Sequence, residues 1–162
     1  MTAVPEYKPQ DPDFEARVRD SFERQPAMHL IGARMIVARP GHCEIELLRQ
    51  PKVTQQHGFV HGGIVGMIAD SAAGYAAYSL FPAESTVLTV EYKLNLMAPA
   101  DADRLVARSI VTRHGRTLTI CSLDVFGHKN DKMTHCATGL ATMMCILGRH
   151  DGPRDAQPGP IR

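Results

Sequence analysis

One carboxylate stands in a stretch that otherwise holds only apolar, hydroxyl-bearing or small residues: Asp70, within GIVGMIADSAAGYAAYSLF, residues 63–81. A carboxylate in such surroundings is costly to ionise unless it is paired or hydrogen-bonded, so its presence needs a reason. Two are open. Asp70 can pin its helix by accepting bonds from neighbouring backbone or from hydroxyls such as Ser71, or its raised basicity can activate a water molecule. Immediately before the stretch stands His61-Gly62-Gly63. Two glycines let the backbone come close to a ligand, and a helix start presents unpaired N–H groups able to hold an oxyanion, such as the one that develops when water attacks an activated carbonyl. The same three residues can equally make nothing more than a tight loop into the helix.

Other groups point to less. His57 and His61 are four apart, but Gly58 between them and the glycines after them argue for a loop, so no metal is expected. The cysteines, Cys43, Cys121, Cys136 and Cys145, form no close pair and read as free thiols. No G-x-S-x-G elbow and no long phosphate-binding glycine loop occurs. Arg113-His114-Gly115-Arg116 places two guanidinium groups around a glycine, which suits phosphates or an ordinary solvated turn; Lys129 and Lys132 are weaker candidates of the same kind. The net charge is +1, with 18 Lys and Arg spread along the chain, so no nucleic-acid partner is expected. Neither a leader-like start nor a membrane-spanning run is evident, and the expectation is a soluble cytoplasmic protein with no membrane partner.

The elements that must position these residues can be read in outline. The proline-rich residues 1–12 and the Gly/Pro/charge-rich residues 148–162 read as flexible tails around a single domain, 13–147. DFEARVRDSFERQP reads as a short amphipathic helix with Phe14, Val18 and Phe22 on one face. Strand-like segments follow at about His29–Ala38 and Cys43–Leu48, separated by the Pro40-Gly41 turn. Residues 63–81 are a helix expected to be buried all round. From Val87 to Leu96, Leu88, Val90, Tyr92, Leu94 and Leu96 alternate with Thr89, Glu91, Lys93 and Asn95, a strand pattern. Arg104–His114, Arg116–Phe126 and Lys132–Cys145 supply three more strands. Two strands, one long helix and four strands favour an antiparallel sheet with the helix on one face, an α+β fold.

TQQHGFVHGGIVGMIADSAAGYAAYSLF, followed by TVEYKLNLMAPA and a later R-x-G-R turn, resembles the phenylacetyl-CoA-type (PaaI-like) branch of the hotdog acyl-CoA thioesterases, within the 4-hydroxybenzoyl-CoA thioesterase superfamily. The resemblance implies a hotdog fold, a long central helix wrapped by a six-stranded antiparallel sheet with a short N-terminal helix, and two subunits joined sheet edge to sheet edge. It implies hydrolysis of an acyl-CoA thioester, with no cofactor beyond the coenzyme A of the substrate. Asp70 would be the general base or nucleophile, Gly62 the oxyanion-hole N–H, Thr89 the residue that orients water, and Arg113, Gly115 and Arg116 the grip on the coenzyme. The family usually has Asn six residues before its histidine; here that position is Gln55, and His61 would orient Gln55 or the substrate or simply pack. Met67, Tyr75 and Tyr78 would line the acyl slot or the core. Helix geometry adds an argument of its own: Gly62 and Asp70 are eight residues apart, about 12 Å along the axis, too far to serve one carbon. A composite site in a homodimer, or in a tetramer made of two dimers, is therefore expected. The alternatives are a non-catalytic acyl-CoA-binding or sensing protein, which would need no Asp70, and a hotdog hydratase or dehydratase, whose motifs are not evident.

Overall fold

The computed structural model describes residues 6–152. Two short helices come first, α1 (Phe14–Glu23) and α2 (Pro26–Ile31). The α1 spacing buries Val18 and Phe22 on the core, and a fully buried Phe contributes about 2 kcal/mol. The strand expected from His29 starts later, at Ala33, because Pro26 sits in the first turn of α2 and Gly32, at φ 74°, ends it in the left-handed region. Strands β1 (Ala33–Arg39) and β2 (His42–Leu48), a 3-10 turn at Pro51–Val53, the long helix α3 (Gly62–Tyr78), and strands β3 (Ser85–Leu96), β4 (Arg104–His114), β5 (Leu118–Lys129) and β6 (Lys132–Leu147) follow.

All neighbouring strands are antiparallel, and their order is β1-β2-β4-β5-β6-β3. The sheet wraps α3, whose Ile68, Ala69, Ala72, Ala73, Ala76 and Ala77 are fully buried against Ile45, Leu47, Leu105, Leu123 and Met143. Small residues along this helix face let the sheet close on it. This is the hotdog arrangement.

Two expectations need correction. α3 is not buried all round: Gly63, Ile64, Met67, Asp70, Ser71 and Gly74 form a stripe left partly open in the single chain. The alternation in β3 is also broken. Thr89 pairs with Met143 and Glu91 with Thr142, so Val90 is an extra, bulged residue. The bulge flips the strand, and Thr89 faces the helix together with Tyr92, Leu94 and Leu96 instead of opposing them.

The described parts of the expected tails are anchored. Gln10 Nε2 donates to Leu80 O (3.1 Å), buried Asp11 pairs with Arg17 (2.8 Å), and Asp151 pairs with Arg24 (2.9 Å). The remainder of both segments lies outside the described residues. Among the described residues no helix is long and apolar enough to cross a membrane.

Candidate active site

β3 lies along α3 in reverse direction, and the two elements meet once per helical turn. A side-chain carbon added at Gly62 would lie 2.9 Å from Leu96 Cδ1, and one at Gly66 would lie 3.3 Å from the Tyr92 hydroxyl. At the next turn Thr89 Oγ1 donates to Asp70 Oδ1 at 2.8 Å. Burial pushes the Asp70 carboxyl up from its ordinary range, and the Thr89 bond opposes that rise. The result is a half-buried carboxylate of enhanced basicity with one oxygen held by a hydroxyl.

Asp70 and Thr89 line a cavity of about 680 Å³ together with Ser71, Gly74, Tyr75 and Val87. Ser21, Arg24, Gln25 and Asp151 complete its wall. Tyr75 is buried, and its hydroxyl accepts from Gln25 Nε2 (2.7 Å) and shares a hydrogen bond with Ser21 (3.1 Å). Its pKa is pushed up to about 12 by burial, so it is a neutral wall. Sequence reading passed over Ser21, Arg24 and Gln25, because polar residues on an amphipathic helix and its exit read as a solvated face. A signal for the site itself was present in the spacing by four of Gly62, Gly66, Asp70 and Gly74, which marks one helix face as unusually bare.

Gly62 opens elsewhere, onto a second cavity of about 300 Å³ shared with Gln55, Phe59, Val60, Met97, Pro99 and Cys136. His61 caps the helix, its Nδ1 accepting from Gly63 N–H at 2.9 Å. Ile64 and Val65 donate to the His61 carbonyl, while the Gly62 N–H has no acceptor among the described residues. Gln55 Oε1 accepts from His57 N–H, a local closure that leaves the amide N–H₂ as its outward group. Thus the carboxylate with its hydroxyl lies in one cavity of the chain, and the backbone and amide donors lie in another.

The other candidates are placed apart. Arg113 and Arg116 are exposed, line neither cavity and have no ion-pair partner among the described residues; Gly115 N–H closes their turn onto Leu118 O (3.0 Å). Tyr78 is core, with Arg17 over its ring at 4.2 Å, and Met67 packs against the core. Lys129 pairs with Asp101 (2.7 Å). All four cysteines are unpaired and buried; burial raises each thiol, that of Cys121 to about 12.

Residues 57–134 match the family model described as the thioesterase superfamily. The structure of a thioesterase family protein from Silicibacter pomeroyi is 43% identical, covering 83% of this chain and 99% of that one, with a TM-score of 0.82. The chain belongs to the thioesterase superfamily. Two more distant structures share the fold of this superfamily member. The E. coli PaaI protein from the phenylacetic acid degradation operon is 17% identical, with a TM-score of 0.75 over 86% of this chain and 98% of that one. A Haemophilus influenzae thioesterase is 16% identical, with a TM-score of 0.71 over 91% and 96%.

Proposed function

We propose that this thioesterase-superfamily member hydrolyses acyl-CoA thioesters in sites built between two copies of the chain. The observation that supports the reading is that Asp70 with Thr89 and Gly62 with Gln55 line two separate cavities of one chain. The Asp70 carboxylate takes a proton from water, or attacks directly; its raised basicity favours either role. Donors are then needed for the oxyanion, and the unpaired Gly62 N–H at the start of α3 is the suitable group. Joining Asp70 of one chain to Gly62 and Gln55 of the partner subunit completes the constellation.

The edge of the sheet supports that pairing. β3 has a neighbour on one side only and exposes Leu88, Val90, Tyr92 and Leu96. A long apolar edge strand invites pairing with another strand. Two β3 edges side by side would bring the open stripes of two α3 helices together. The Arg113 and Arg116 guanidiniums, without an ion-pair partner among the described residues, would take the coenzyme phosphates. A binding or sensing protein needs the phosphate grip but not a basic carboxylate beside an open cavity.

The test is release of free CoA across phenylacetyl-, hydroxybenzoyl- and straight-chain acyl-CoA substrates, comparing the native chain with Asp70→Asn at matched oligomeric size. Hydrolysis that falls at least about a hundredfold in the variant is expected. Activity unchanged by Asp70→Asn would remove the carboxylate from the mechanism; acyl-CoA binding without any turnover would favour the sensing role.

A further inference from the structure

Three of the four turns along the bare face of α3 are met by β3: Leu96 over Gly62, Tyr92 over Gly66 and Thr89 at Asp70. The fourth turn, at Gly74, is different. A side-chain carbon built there would find, among the described residues and beyond its own stretch of helix, no atom within 4 Å, although Gly74 lies inside the helix and lines the 680 Å³ cavity with Asp70. Glycine in a helix interior is unfavourable relative to alanine, and among the described residues no close contact demands it here. What the missing side chain leaves is open space, in a cavity whose size falls in the range of about 300–1,000 Å³ usual for small-molecule sites.

We propose that Gly74 determines acyl-group specificity, its bare backbone keeping the floor of the acyl pocket open for groups that reach one helical turn past the reacting carbonyl. The proposal rests on the acyl-thioester reading above and extends it to substrate class. Gly74 is four residues beyond Asp70, about 6 Å along the axis, in the direction of Tyr75, Gln25 and Ser21. An acetyl group held at Asp70 stops short of it. An octanoyl or phenylacetyl group lies across it and ends at the wall formed by the neutral Tyr75 hydroxyl and its Gln25 and Ser21 partners. The pocket therefore takes medium-length or aryl-acetyl groups, and a side chain at position 74 would divide it.

The experiment uses the full chain and two variants, Gly74→Ala and Gly74→Leu. Affinities of the non-hydrolysable thioethers S-ethyl-CoA and S-octyl-CoA are measured by calorimetry, kcat/KM is measured on acetyl-, butyryl-, octanoyl- and phenylacetyl-CoA, and each variant's Tm and oligomeric size are recorded. The native chain is expected to bind S-octyl-CoA more tightly. The octyl-to-ethyl affinity ratio should fall at least about tenfold in Gly74→Leu, the scale of changing a pocket by a methylene or more, and by less in Gly74→Ala. The Ala variant should melt at or above the native Tm, because helix propensity favours alanine. An unchanged ratio, no native preference for the octyl compound, or a change of oligomeric size showing that a second copy fills the space would each overturn the proposal. Hydrolysis with an unchanged ratio overturns only the Gly74 assignment. A ratio that falls as expected in a chain that hydrolyses nothing overturns the hydrolytic reading and leaves the pocket assigned.

Discussion

A hydroxyl that donates to a carboxylate stabilises the charged form, so burial and Thr89 act on Asp70 in opposite directions, and burial prevails. If Asp70 must be ionised to take a proton from water, the acid limb of kcat/KM reports its protonation. That limb is expected above the ordinary aspartate range. Removing the donor with Thr89→Ala takes away the influence that lowers the pKa, so the limb should move further up in pH, and Thr89→Ser should return it. A pH–rate profile on a single substrate measures this, and a limb that stays in place in Thr89→Ala counts against the contact. The turn at Arg113 and Arg116 makes a separate claim. Replacing either by Ala should raise KM for acyl-CoA about three- to tenfold, more at low salt, with a smaller effect on kcat. Acyl-pantetheine thioesters, which lack the nucleotide phosphates, should not register the change, and a KM that rises equally for both substrates would place the arginines elsewhere in the mechanism.

The six strands and the long helix were legible from apolar patterning, β-branched content and turn residues, and Asp70 stood out by residue type, whereas the part of Gly62 came from the resemblance. What escaped the sequence reading was decided by tertiary packing. α2 went unseen between the first helix and the strand-like run, into which its end was absorbed, because its six residues are set by Pro26 and Gly32 rather than by any apolar period. The Val90 bulge is invisible to alternation: the pattern from Leu88 to Leu96 reads as unbroken, yet Thr89 and Tyr92 both face the helix only because one residue is extruded. The polar wall of the Asp70 cavity comes from residues distant in sequence, Ser21 to Gln25 and Asp151, which no local pattern joins. Because β3 carries Thr89, its pairing with β6 bears directly on the site. Gly139 of β6 lies so close to β3 that an added side-chain carbon would collide with the Lys93 carbonyl. Gly139→Ala should therefore cost about 1–3 kcal/mol of stability in thermal or denaturant unfolding, the range for overpacking, and lower activity with it. A fully stable Gly139→Ala variant would mean that β3 moves freely against β6.

At the scale of the whole molecule, a site divided between two chains has a consequence that a site within one chain lacks: two inactive variants can restore each other. Gly62→Pro is a suitable partner for Asp70→Asn. Position 62 is the first of α3, where proline is well tolerated; His61 before it has φ −61° and ψ 135°, a conformation that a following proline accepts. The substitution removes only an N–H that has no acceptor among the described residues, and its ring would displace the flexible end of Leu96. Alone, Gly62→Pro should fold and lose about 100- to 1,000-fold in kcat, the usual cost of deleting one oxyanion donor. In a dimer that carries one Gly62→Pro chain and one Asp70→Asn chain, one site receives both defects and the other receives neither. Random reassociation after dissociation makes half of the dimers mixed, so an equal mixture should recover about a quarter of native activity. Recovery near that level, measured by CoA release after mixing and refolding, requires Gly62 and Asp70 to act from different chains. A mixture no more active than its two components would place both groups in the same chain, and the eight-residue separation along α3 would then have to be bridged by a change in the helix itself.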